Sequence, residues 1–206
     1  MNDVKLLVLS HYADIFEGFR ANVEQYEPDI EKILIRDGHE IPVAFYPDYY
    51  PGVMWYVQDA VEPFIYARNC NTGWFLAGDS DVILCGDDVR FEGPFVKALQ
   101  ETAYSDPKVG VATVQLWGQS PFVCGYFKRS VLKDVGWMDE RFTGYGKEDN
   151  DWCRRMEDKG YITLPTEAVK AKHGGGTSFL RRCAEQGKTM EELCNVNNQL
   201  FEEKWG

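Results

Sequence analysis

Asp81 to Phe91 reads DVILCGDDVRF, in which the apolar run Val82, Ile83, Leu84 and Cys85 ends at Gly86 and two adjacent carboxylates, Asp87 and Asp88. Four consecutive apolar residues suit a central strand covered on both faces, since a strand with one wet face would alternate. In an open α/β sheet ligands collect beyond the carboxyl ends of strands, so this strand carries its paired acids to where a ligand is expected. Two carboxylates side by side repel each other, and a divalent cation relieves that repulsion. Taken alone the pair fits a solvated turn better, because aspartate is a common turn residue, and the decision falls to its partners.

Upstream, Val4 to Ser10 is a strand candidate, and Ile15, Phe16, Phe19, Val23 and Tyr26 fall at helical spacing. Ile30 to Ile35 is a second apolar strand, running into Arg36-Asp37-Gly38. Strand, helix, strand opens a doubly wound α/β sheet, mostly parallel and flanked by helices, and it brings Asp37 to the edge of Asp87 and Asp88. Ile41 to Tyr56 lacks periodicity and reads as an irregular loop with room for a short strand. Asp59 and Glu62 resemble a capping pair for a helix running toward Asn69. In the next stretch, RNCNTG, Arg68 and Gly73 precede a short helix at Trp74 to Ala77, where they suit either a cap or phosphate oxygens. Downstream, helices are expected over Pro94 to Tyr104 and Ser130 to Val135, and strands over Val109 to Leu116 and Phe122 to Phe127. Trp117 to Pro121 reads as a turn.

The chain has 206 residues and no long Pro, Gly or Ser linker, so one domain is expected, with 44% hydrophobic residues to build its core. A formal charge of -11 argues against a nucleic-acid polymer as partner but not against a nucleotide brought in by a metal ion. Six scattered cysteines without a C-x-x-C pair read as reduced core thiols of a cytoplasmic protein. The apolar stretch of MNDVKLLVLS is too short for a signal core or a membrane span. Oligomeric state is not readable.

Phe142 to Arg155, FTGYGKEDNDWCRR, sets two glycines before three acids at the start of a helix that stops near Gly160. Asp149, Trp152, Cys153 and Met156 share one face, which puts Asp149 on the inward stripe as a candidate general base, flanked by Glu148 and Asp151. His173 follows an extended stretch from Tyr161 to Val169 and precedes Gly174, Gly175 and Gly176, a loop able to close over a ligand. Trp117, Trp137, Trp152 and Tyr145 suit either core packing or sugar stacking. Thr189 and Glu192 form a capping box for a C-terminal helix over about residues 189–204 that packs on the sheet.

Together GDDV at Gly86 to Val89, FTGYGKEDNDW at Phe142 to Trp152, and His173 resemble the inverting family 2 glycosyltransferases of the GT-A fold. The resemblance runs from the Asp37 strand to His173 and implies a nucleotide-binding half (about 1–91) and an acceptor-binding half (about 92–180). It implies that Asp37 and Ser10 lie at the nucleoside, Asp87 at the ribose, and Arg68, Asn71 and Gly73 at the diphosphate. Asp88 and His173 would hold manganese or magnesium, and a UDP-sugar is favoured as donor over GDP- or dTDP-sugars. Asp149 would be the base with Glu148 beside it, and Trp117, Tyr145, Gly146 and Trp152 would meet a saccharide or other hydroxyl acceptor. Ser10-His11-Tyr12 departs from the family, which has Asn after the first strand. Three alternatives stand: a catalytically silent nucleotide-sugar-binding module, a retaining transferase, and a nucleotidyltransferase, although Ser10 to Glu17 lacks the Gly-rich basic loop of the last.

Overall fold

The computed structural model describes residues 3–37, 55–61, 63–114 and 120–206. A seven-stranded sheet has the order β3-β2-β1-β4-β7-β6-β8, built from β1 (Val4–Ser10), β2 (Glu31–Arg36), β3 (Trp55–Asp59), β4 (Asp81–Gly86), β6 (Val109–Val114), β7 (Cys124–Phe127) and β8 (Ile162–Thr166). β1 to β4 run parallel, as do β6 and β8, and β7 is antiparallel to both neighbours. A separate two-stranded ribbon pairs β5 (Val89–Phe91) with β9 (Ala171–His173).

The continuous apolar runs are explained by cover on both faces. Leu6, Val8, Leu34, Ile83 and Cys85 point into one core with Phe16, Phe19 and Val23 of α1 (Ala13–Tyr26) and Leu99 of α3 (Val96–Ala103). Leu7, Ile33, Ile35, Val82 and Leu84 point into the other. There they meet α2 (Tyr66–Leu76), α4 (Arg129–Val135) and α5 (Glu148–Asp158). All six cysteines are free thiols, four of them buried. Among the described residues no helix is long and apolar enough to cross a membrane.

Several expectations are corrected. Asp59 caps no helix: it ends β3 and pairs with Arg36, because an extended segment precedes α2. Glu62 and most of the expected loop at Ile41 to Tyr56 lie outside the described residues, and Trp55 and Tyr56 belong to β3. Arg68, Asn71 and Gly73 sit inside α2 rather than before a helix, and Trp74 lies on the same helix. After the triple glycine comes not an open loop but α6 (Thr177–Gln186). The C-terminal helix α7 (Met190–Trp205) starts at the expected Thr189–Glu192 capping box. It is fastened to the loop before α5, however, rather than simply laid on the sheet.

Candidate active site

Ser10, Asp37 and Asp87 each follow or close a parallel strand at the same sheet edge, and the Asp37 amide donates to Ser10 O at 2.8 Å. The β5–β9 pairing then sets Val89 opposite His173, which brings the imidazole to the paired acids. His173 Nε2 lies 3.2 Å from Asp88 Oδ1. The second Asp88 oxygen accepts from the Gly176 and Thr177 amides at 3.2 and 3.1 Å, so Asp88 caps α6 from 88 residues away. Asp87 turns the other way and accepts from the hydroxyls of Ser10 and Ser178. Burial pushes its carboxyl up to about 6, against the lowering effect of those two hydrogen bonds.

α6 occupies the same edge. Arg182 pairs with Asp37, whose other neighbour is His11 Nδ1 at 3.3 Å, and Phe179 stacks on Tyr145 with ring centroids 3.7 Å apart. Further along, Arg181 lies over the Tyr12 ring while the Tyr12 hydroxyl donates to Glu185 at 2.7 Å.

The opposing wall is the start of α5. Lys147, the residue before it, has φ 72°, and Gly146 has φ 74°, so two successive left-handed residues turn the chain into the helix. Asn197 of α7 clasps this loop: its Oδ1 accepts from Gly144 N at 2.8 Å, and its Nδ2 donates to Gly146 O and Glu148 Oε2. Gly144 is needed there, because a Cβ would stand 2.9 Å from Leu193 O. Glu148 is 6% exposed, and burial, followed by the charge of Asp149, pushes its carboxyl up to about 7.

These groups line one cleft of about 270 Å3, with Ser10, Asp37, Asp87, Asp88 and His173 on one side and Tyr145, Gly146, Glu148 and Asp149 on the other. Arg182 is the guanidinium that lines it among the described residues. Such an arrangement can hold a cation beside paired acids, receive a polar ligand along the strand ends, and accept a proton at the α5 wall.

Not every expected site residue joins them. Arg68 Nη2 donates to the carbonyls of Val61 and Pro63, and Asn71 bonds both Met138 backbone groups and Glu140. Gly73 faces Leu7, so none of the three lines the cleft. Trp152 is fully buried against Trp74, Phe122 and Phe127, with Nε1 donating to Gly136 O, and is core rather than an acceptor contact. Trp117 lies outside the described residues. The inward face of α5 differs from the expected stripe: Glu148, Asp151, Trp152 and Met156 are buried, and Asp149 faces the cleft at intermediate exposure. Asp151, expected as a flank, is fully buried with Arg155, Lys204 and Trp205 around it. Sequence reading missed Ser178, Arg182 and Asn197. The first two share an i, i+4 face of α6, a signal present once that helix is read; Asn197 had none, being one polar residue in an amphipathic helix.

The same topology occurs in solved structures. A mannosyltransferase from Pyrobaculum calidifontis, in complex with GDP-Man and Mn2+, superposes with TM-score 0.62 at 15% identity, covering 80% of this chain and 55% of that one. GalNAc-T7 with UDP, GalNAc and Mn2+ gives TM-score 0.69 at 10% identity, over 84% of this chain and 44% of that one. The chain has the GT-A fold. A candidate glucose-1-phosphate thymidylyltransferase from Bacillus anthracis, in complex with a sucrose, also matches this GT-A chain, with TM-score 0.54 and 8% identity over 91% of this chain and 96% of that one. The chain spans about half the length of the first two structures. No family model and no curated protein matches the sequence.

Proposed function

We propose that the chain is a metal-dependent, inverting glycosyltransferase that moves a sugar from a nucleotide-diphosphate donor to a hydroxyl acceptor. The observation that supports this reading is the meeting of Asp87, Asp88 and His173 with Glu148 and Asp149 across one cleft. The connection from β1 to α1 is only His11 and buried Tyr12, without glycine, lysine or arginine, which favours a glycosyltransferase over a nucleotidyltransferase of the same fold.

No group of three or more metal-ligating side chains occurs among the described residues, but Asp88 and His173 put an oxygen and an imidazole nitrogen 3.2 Å apart. Two protein ligands suit a magnesium- or manganese-type ion that completes its shell with phosphate oxygens and water, and the imidazole favours manganese. Asp88 and His173 would hold the ion, which when bound supplies charge neutralisation at the diphosphate leaving group. Ser10, Asp37 and Asp87 receive the nucleoside end of the donor, with a UDP-sugar favoured. Asp149, on the facing wall, takes the acceptor hydroxyl proton, so attack comes from the side away from the leaving group and inverts the anomeric centre. Tyr145 and Gly146 border the acceptor. A second reading exchanges the two acids of the α5 start, because Glu148, at about 7, has the basicity a general base needs near neutral pH.

Incubation with UDP-, GDP- and dTDP-sugars, with Mn2+ or with EDTA, tests the proposal by release of nucleoside diphosphate. Turnover with at least one donor in Mn2+, lost in EDTA, is expected. Absence of both turnover and nucleotide binding across the panel overturns it.

A further inference from the structure

Of the 16 residues of α7, Asn197 is the one that is buried, and its exposure is zero. A helix that packs for stability alone buries apolar side chains, because a buried carboxamide loses its hydrogen bonds to water unless the protein replaces them. Here they are replaced, and every partner lies between residues 144 and 148. Oδ1 accepts from Gly144 N at 2.8 Å, while Nδ2 donates to Gly146 O at 2.6 Å and to Glu148 Oε2 at 3.1 Å. Four residues earlier on α7, Leu193 O accepts from Tyr145 N at 3.1 Å.

These partners fix which way the carboxamide points. Gly144 presents a donor and Gly146 an acceptor, so Oδ1 faces the first and Nδ2 the second. The second Nδ2 hydrogen is left for Glu148, which has to offer it an acceptor oxygen. Around Glu148 stand Asp149 on its own helix, Tyr66 and Cys70 of α2, Tyr145 of the turn and Cys194 of α7. None of these carries positive charge, and burial keeps both phenols and both thiols in their neutral forms. The groups that favour an ionised Glu148 are instead amides: Asn197 Nδ2 and the backbone N–H groups of Glu148 and Gly146.

We infer that Asn197 is a positioning residue for the proposed transfer: it fixes the turn from Gly144 to Lys147 and one oxygen of Glu148, so that Glu148 and Asp149 stand together at the cleft wall. The role rests on the proposed function and adds to it a residue 49 positions downstream of the acid it holds. Left-handed Lys147 sits between the two acceptors of Nδ2, and a non-glycine residue in that conformation persists where contacts from outside its own turn hold it. Loss of the clasp displaces the acids that meet the acceptor proton. Ser10, Asp37, Asp87 and Asp88 line the other side of the cleft and have no bond to Asn197, so the loss falls on the rate of transfer and spares donor affinity.

Side-chain amide NMR of the native chain tests the inference without any substitution. The Asn197 NH2 resonances should move with pH in one step centred on the Glu148 carboxyl, near about 7, and the step should vanish in Glu148→Gln. Asn197→Asp keeps the shape and the acceptor for Gly144 N, but it removes the donor and sets a second carboxyl against Glu148. It should raise the Glu148 midpoint, read from the 13C carboxyl signal, by about one unit or more. It should also lower kcat for nucleoside diphosphate release about tenfold or more with donor KM within about threefold, as should the shortened Asn197→Ser. An anchor that is only structural gives a different pattern, a lower melting temperature in both variants with the Glu148 midpoint and, well below that temperature, kcat unchanged. That pattern, or native Asn197 resonances that do not respond to pH, overturns the inference. If the native chain releases no nucleoside diphosphate, the transferase proposal fails, and the amide titration still decides whether Asn197 holds Glu148.

Discussion

Glu148 and Asp149 are neighbours on one helix yet occupy different environments, and the difference is measurable. With its pKa raised from the ordinary 4.5 to about 7, folded Glu148 holds its proton more tightly than the unfolded chain does. The native state therefore binds more protons between those values, and stability falls as pH rises through that window, by on the order of 3 kcal/mol if nothing else titrates. Glu148→Gln removes this penalty, so its melting temperature should exceed the native one by more at about pH 8 than at about pH 4.5. A constant difference between the two pH values would refute the assignment. Asp149→Asn should lower transfer by two orders of magnitude or more while donor affinity, followed by titration, stays within about threefold. If instead Glu148→Gln abolishes the acid limb of kcat/KM and Asp149→Asn does not, the base is Glu148. The pair is visible in the sequence as candidates, but of the stripe Asp149, Trp152, Cys153 and Met156 only Trp152 and Met156 are buried, and Glu148 rather than Asp149 is the acid on the inward face. The left-handed Lys147 starts the helix so that Glu148, Trp152 and Met156 turn inward, and no local signal marks a non-glycine residue for that conformation.

At the scale of elements, α6 is the helix that escaped sequence reading. α6 has no capping side chain of its own; its first amides are satisfied by Asp88, whose position in space depends on the β5–β9 pairing. α7, with a local capping box, falls within a residue or two of its expected bounds. Asp88 thus has two separable duties. Asp88→Ala should loosen α6 by about 1 kcal/mol and raise amide exchange over residues 177–186, while Asp88→Asn keeps an acceptor for the cap and should lose manganese-dependent turnover alone. Equal exchange in both variants would show that Asp88 is no cap. Gly73 offers a contrasting case. A Cβ there would stand 2.3 Å from a Leu7 methyl, so Gly73→Ala should destabilise by about 1–3 kcal/mol in urea unfolding without changing donor affinity in the protein that remains folded. A selective loss of donor affinity would restore Gly73 to the phosphate site.

Across the whole molecule, the parallel half of the sheet was legible because buried strands must be apolar on both faces, and β1, β2 and β4 are continuous apolar runs. β3 was not, since Trp55–Asp59 carries exposed Tyr56 and polar Gln58 and Asp59. The role of α7 was hidden for a related reason: what it buries is polar. Asp151, without exposure, is matched by Lys204 at 2.6 Å and Trp205 Nε1 at 2.9 Å, both from the last turn of α7. Removing residues 189–206 strips those partners and Asn197 as well, and should destabilise the chain by about 3–5 kcal/mol and abolish any turnover. Retention of the native melting temperature would contradict the anchoring role. The contacts of α6 carry a kinetic consequence. Asp37, Asp87 and Asp88, the acids expected to meet the donor or its ion, are each already bonded to this one helix. Ligand entry is then an exchange of partners rather than the filling of a free site. Stopped-flow association of a nucleotide sugar should show an observed rate that levels off at high concentration, at the opening frequency of α6, and Ser178→Ala should raise that plateau. A rate that stays linear in concentration to the diffusion limit would mean that the helix yields without delay.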